Sequence, residues 1–196
     1  MDAKLWIALA GALIVFIGVL AISWRARQLD AVHKNVIKSR VTLEQALRVR
    51  ARAAEVLARS GLLDMASAVL LTDVVDEALG ASGQPIVDDG LDALTPHDAG
   101  YTPSDHTPTI DRLAVESELS RVLRLTVDEL RPEEIAAHYE PMLAELDQAR
   151  NTVRLRRRFH NIHVTNARRI RRSRIAKIFH IHGHAPIPQP VDLDDE

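Results

Sequence analysis

Eleven arginines and lysines fall between Arg150 and Lys177, in two dense runs, Arg156-Arg157-Arg158 and Arg168-Arg169-Ile170-Arg171-Arg172. Guanidinium groups at that density attract anions, offering paired donors to phosphates and carboxylates. Arg154, Arg156, Arg158, Arg168, Arg169, Arg172, Arg174 and Lys177 are therefore the candidate contacts for an anionic lipid headgroup or an acidic protein partner. The plainest use of the run is internal pairing. Acids outnumber bases from Ser82 to Asp147, whereas residues 148–191 contain no Asp or Glu. Nucleic acid is the weakest reading, because no aromatic residues are interleaved to stack on bases.

Other residue patterns carry less chemistry. His180, His182 and His184 alternate, and His160 and His163 stand one helical turn apart. Either set could offer imidazoles to a metal, but the shell would be all nitrogen, with no cysteine and no nearby carboxylate. No metal residue is assigned. Asp88-Asp89 sits in a Gly/Pro-rich stretch with nothing to hold it in catalytic geometry. No phosphate-cradling glycine loop, Gly-x-Ser-x-Gly elbow or His-Glu-x-x-His is present. The chain has no cysteine, which excludes disulfides and thiol catalysis. No catalytic residue and no cofactor are assigned, and a non-enzymatic protein is the expectation.

What must position the basic run begins with residues 5–24, twenty residues without a charge. At 1.5 Å of rise each they span about 30 Å, the thickness of a bilayer's hydrocarbon core. Trp6 and Trp24 stand near the two ends, where indole rings favour the headgroup layer. A cleavable signal is disfavoured by the length of the run and by the large Trp24 and Arg25 at its end. Arg25, Arg27, Lys34, Lys38 and Arg40 follow, against a single Lys4 before it. The positive-inside rule then places the N-terminus outside and the rest in the cytoplasm, as a single-pass protein of the cell (inner) membrane. Gly11 and Gly18 lack GxxxG spacing, so a homo-oligomer stays open without being indicated.

Residues 25–179 read as a cytoplasmic helical bundle. From Arg25 to Ser60 there is neither Pro nor Gly, and Leu29, Val32, Val36, Leu43, Leu47, Ala54 and Leu57 recur at helical steps, with a weak turn around Ser39 and Arg40. Gly61 should stop this helix, and Asp64 should cap a second one ending at Gly80. Residues 81–110 alternate Gly and Pro with Asp, a composition that predicts a mobile, disordered acidic loop. Asp111 caps a third helix reaching Leu130, and Pro132 suits the first position of a new helix. The last helix is predicted from Pro141 to Phe179, with Leu146, Ala149, Val153, His160, Val164, Ala167, Ile175 and Ile178 on one side. Arg157 and Arg171 intrude on that stripe, to snorkel or to pair with Glu44, Glu55, Glu116 or Glu118. Residues 180–196 form a Pro-rich acidic tail. The aromatics beyond residue 24 are few, so Leu, Val, Ile and Ala must build the core, which favours packed helices. The fold class is thus all-α: an N-terminal transmembrane helix over residues 1–24, then an antiparallel bundle of long helices.

Three segments together have a family look: the single N-terminal apolar run, Val115-Glu-Ser-Glu-Leu-Ser-Arg-Val-Leu123, and Arg157-Arg158-Phe159-His160-Asn161-Ile162-His163-Val164 after Leu146-Asp-Gln-Ala-Arg150. The chain resembles the LemA family of bacterial membrane proteins, whose corresponding segments read approximately Ala-Glu-Asn-x-Leu-Ser-x-Ala-Leu and Ala-Arg-Arg-x-Tyr-Asn-x-x-Val. Gly183-His184-Ala185-Pro186, Pro188 and the closing Asp194-Asp195-Glu196 resemble its actinobacterial branch. His160 stands where the family has Tyr, and Arg48-Val-Arg50-Ala-Arg52 departs from its Arg-Arg-x-x-Leu-Ile-Pro. The resemblance implies a tethered bundle of long helices and no established reaction. It also implies that Arg157, Arg158, His160, Asn161 and Val164 fix helix register.

Overall fold

The computed structural model describes residues 3–87, 89–91, 111–131, 133, 135–173 and 186–195, and among them the fold is all-helical. Helix α1, Ala3–Ala58, runs 56 residues without interruption, because nothing between Arg25 and Ala58 breaks it. Its inner edge is Val36, Arg40, Leu43, Leu47, Arg50, Ala54 and Leu57, alternating steps of four and three, and every one of these is buried. That is the seam pattern of a long packed helix.

Gly61 turns the chain at a φ of 83°, a left-handed backbone that favours glycine. Asp64 then caps α2, Met65–Gly80, its Oδ1 accepting from the amides of Ala66 at 2.9 Å and Ser67 at 3.1 Å. Asp111 caps α3, Arg112–Thr126, in the same way through Leu113 and Ala114. Helix α4, Glu140–Arg171, carries Pro141 in its first turn. Single 3-10 turns at Ala81–Gly83 and Ala137–Tyr139 follow α2 and lead into α4.

The helices run up, down, up, down. Glu44 of α1 meets Arg112 at the start of α3, while Arg50 meets Glu116 further along both, so α1 and α3 are parallel. Against α4 the order reverses: Val36 packs with Val164 and Ala167, Leu43 and Leu47 with Val153, and Ala54 and Leu57 with Leu146 and Ala149. The core falls into three successive clusters that change in kind along the bundle. Beyond about Ala51, four helices close it with Leu, Val and Ala. Nearer residue 36, α1 and α4 form the core among the described residues with only Leu113 of α3 beside them, and Ile86, Val87, Leu91, Val191 and Leu193 fill the remaining space.

Several expectations change here. The loop predicted as mobile over residues 81–110 begins as packed chain: Ile86, Val87, Asp89 and Leu91 are buried, and residues 92–110 lie outside the described residues. The Pro-rich tail is likewise packed, with Val191 and Leu193 inside the core. Composition misled at Ile86, Val87 and Leu91 because a few apolar side chains suffice once two helices supply a ready groove. Helix α3 stops at Thr126, four residues before Leu130, and Val127 and Leu130 close turns instead. The helix start at Pro132 falls outside the described residues, whereas the last helix, expected to reach Phe179, ends at Arg171, where Arg172 caps it and Ser173 turns back to the Ile170 carbonyl.

Among the described residues no helix is long and apolar enough to cross a membrane. The transmembrane span read from residues 5–24 is therefore not found as such, and six of its twenty side chains lie outside the described ones. What is described there is the start of α1. Trp6, Leu9, Leu13, Val15, Phe16, Ile17, Val19, Leu20 and Trp24 are each more than half exposed.

Candidate functional site

Helix α4 brings the basic run to two different environments. Along one side, its arginines hold residues 186–195, which lie extended and antiparallel to the helix. Arg171 donates through Nη1 to the carbonyl of Pro186 at 2.8 Å, and Arg168 through Nε to that of Pro188 at 2.7 Å. Asn161 binds Val191 twice, its amide nitrogen donating to the carbonyl and its Oδ1 accepting from the N–H, both at 2.9 Å. Arg154 donates to the carbonyl of Asp195 at 2.7 Å. Arg157 grips the Asp195 carboxylate with both Nε and Nη2, at 3.0 and 2.6 Å. From the opposite wall, Asp89 accepts from the Gln189 amide at 2.9 Å, and Arg124 of α3 reaches Asp194 at 2.9 Å.

The physical reason for so many arginines follows. An extended chain on a helix has no strand beside it, and the helix has already used its own backbone groups. Long side chains must supply the missing donors. Arginine does so while its stem covers apolar surface.

On the other side of α4, Arg156, Arg158, Arg169 and Arg172 are exposed, and Arg169 contacts Asn166 of its own helix. Leu155, Phe159 and Ile162 stand exposed among them. The eight candidate contacts thus divide. Arg154 and Arg168 hold the 186–195 segment, four face outward, and Arg174 and Lys177 lie outside the described residues. His180, His182 and His184 also lie outside them. Among the described residues no group of histidines and carboxylates could hold a metal ion.

The residues singled out by resemblance have distinct positions. His160 is fully buried, with Nδ1 2.9 Å from the Ser39 hydroxyl, which itself donates to the Val36 carbonyl. With that hydroxyl hydrogen engaged, the inferred tautomer has Nδ1–H donating to Ser39. Burial and the nearby Arg40 charge, opposed by Asp89, push the imidazole down to about 4. Val164 is buried against α1, Asn161 and Arg157 hold the extended segment, and Arg158 is exposed.

Arg50 and Arg112 were not read as paired residues in the sequence, although Glu44 and Glu116 were named there as available acids. Arg50 donates to Glu116 at 2.8 Å and to Ser120 at 2.7 Å. Arg112 bonds Glu44 at 2.8 Å, Glu116 at 3.3 Å and the carbonyls of Ser82 and Gln84. All four charged groups are buried, and their charges cancel. Burial lowers the Arg50 guanidinium, against the pull of Glu116. A second buried pair joins Arg40 to Asp89, Nη1 to Oδ1 at 2.9 Å. Burial works against the Asp89 carboxylate, yet the Arg40 bonds prevail and hold it below its ordinary range. Arg157 pairs instead with Asp195 and Arg171 donates to the Pro186 carbonyl, while Glu44, Glu55, Glu116 and Glu118 bond Arg112, Arg59, Arg50 and Arg121. The available signal was phase: Arg40 and Arg50 continue the seam of α1 in perfect register.

An open groove of about 400 Å³ lies between α1 and α4, lined by Thr42, Gln45, Ala46, Val49, Glu145, Gln148, Ala149, Thr152 and Arg156. It presents hydroxyls, amides and aliphatic carbons, with no histidine and no paired carboxylates. In comparisons with known proteins, no family model, no curated protein and no solved structure matches the chain.

Proposed function

We propose that the protein is a non-enzymatic scaffold or interaction module of LemA type, tethered to the inner membrane by residues 5–24. In this reading the N-terminus is outside and the bundle cytoplasmic. One observation carries it: the exposed apolar residues between Trp6 and Trp24 belong to a helix that runs unbroken into the bundle. An apolar surface of that extent in water favours cover by lipid or protein. Because α4 runs antiparallel to α1, Arg168, Arg169 and Arg172 lie at the end of the bundle nearest Trp24. Val36, which packs on Val164 and Ala167 there, follows Trp24 by twelve residues, about 18 Å of helix.

Extraction of membranes at alkaline pH tests the anchor. The full chain should stay in the pellet and a chain lacking residues 1–24 should be released. Release of the full chain would end the reading. A reporter after Glu196 that works only outside the cytoplasm would reverse the topology. Reproducible capture of a protein by crosslinking in membranes is the test of the scaffold role.

A second reading is favoured by the outward face of α4: a sensor of anionic lipid. Arg156, Arg158, Arg169 and Arg172 alternate there with Leu155, Phe159 and Ile162, a mixture suited to a headgroup boundary. Protein lacking residues 1–24 should float with anionic vesicles at low salt and release at high salt. Failure to float would remove this reading.

A further inference from the structure

We propose that the groove beside α4 is a recognition site for extended peptides, and that residues 186–195 are its resident ligand, held in cis. The peptide class is set by the contacts: a Pro-x-x-Val-x-Leu-x-Asp pattern, with an acid at its last position. This inference does not depend on the membrane reading.

Three features separate a bound ligand from an ordinary piece of fold. First, the segment's main chain is captured almost wholly by side chains. Arg171, Arg168, Asn161 and Arg154 from α4, with Asp89 opposite, bond the backbone of Pro186, Pro188, Gln189, Val191 and Asp195. The only backbone pairing described for the segment is local, from Asp195 to Leu193. Recognition of main-chain groups gives affinity without regard to sequence. It is the same division of labour as when a peptide joins a sheet edge.

Second, alternate side chains enter pockets. Val191, Leu193 and Asp195 are buried, while Asp192 and Asp194 between them are exposed. The period of two is that of an extended chain. Val191 and Leu193 join Leu43, Leu47 and Val153, and Asp195 ends on the two-pronged Arg157. These pockets supply the selectivity that the backbone bonds lack.

Third, the Asn161 clamp is matched to the backbone of one residue, Val191. One amide side chain satisfies both the N–H and the C=O of a single residue, which fixes direction and register. A ligand attached to the same chain competes at an effective concentration on the order of millimolar. The cis segment therefore keeps the site closed until a better or more abundant peptide displaces it.

The test uses the full chain in detergent micelles, with a protease site inserted between Gly183 and Ala185 and cut after folding. The probe is a labelled peptide of residues 186–196, followed by fluorescence anisotropy. The cut protein should bind it saturably, at least tenfold more tightly than the uncut protein. A peptide of the same composition in scrambled order should fail. N161A in the cut protein should weaken binding at least tenfold, and R52A, on the exposed side of α1, should leave it unchanged. Equal binding of the scrambled peptide would overturn the proposal and leave only charge attraction. Loss of the cooperative melt on cutting would also overturn it, because the bundle would then need the covalently attached segment to stay folded. So would failure of excess peptide to exchange, or displacement of the probe by phosphatidylserine vesicles but not by unlabelled peptide.

Discussion

The two ends of the bundle solve the same problem with different materials. At the end distal to residue 5, four helices enclose Leu57, Leu71, Leu119, Leu123 and Leu146, all fully buried. Their backbone groups are satisfied within each helix, so the interface needs only shape and apolar area. At the other end α1 and α4 meet only the start of α3 among the described residues, and residues 84–87, 89–91 and 186–195 complete the enclosure around Leu43, Leu47, Val153 and Val164. Extended chain brings unsatisfied N–H and C=O groups with it. Arginine, asparagine and aspartate side chains answer them, and the charge of this end is a consequence. The difference shows that an arginine-rich helix can be read as a set of main-chain donors before it is read as a surface for lipids.

The largest expected effect falls where the two ends meet. Glu116→Ala leaves Arg50 and Arg112 buried without their shared acid and should cost about 3–5 kcal/mol by urea unfolding. A loss below about 1 kcal/mol would show that water reaches this cluster and that the junction is not dry.

Next in size is acid. The His160 imidazole titrates at about 4 in the fold, against about 6.5 unfolded. Between those values the unfolded chain binds the extra proton, so stability must fall as pH drops. The fall should reach about 3 kcal/mol by pH 4. Asp89, held low by Arg40, adds its own loss at still lower pH. His160→Gln should flatten the slope between pH 6.5 and 4. If the slope survives in this variant, His160 is not the buried neutral group described.

Asn161→Ala strips both bonds from Val191 and should cost roughly 2 kcal/mol. Hydrogen exchange should locate the damage: the Val191 amide loses protection while those of Leu119 and Leu123 keep theirs. Equal loss at both ends would mean that they unfold as one unit and would dissolve the comparison.

Gly61→Ala is the smallest, about 1 kcal/mol for a left-handed position given a Cβ. It should be felt at the distal turn and leave the pH response intact.

What the sequence determined by itself was the helical part. Helix α1 without a break, the Gly61 stop and the Asp64 and Asp111 caps were all legible, because spacing, capping and glycine conformation act within a few residues. So was the inner stripe of α4 from Leu146 to Ala167. Only the tertiary structure decided the fate of the residues that spacing calls exceptional. Arg40 marked a weak turn of the first helix and Arg50 only a departure from a family motif, and each proved to be buried against an acid more than forty positions away. The Asp-rich stretch looked too polar to pack, yet it, like the Pro-rich tail, sends apolar residues into a groove made by α1 and α4. A buried charge or an extended segment is stable only if its partners arrive, and partners far apart in the chain leave no local trace. The arginines after Arg150 were plain in the sequence; which of them would bind the chain's own backbone was not.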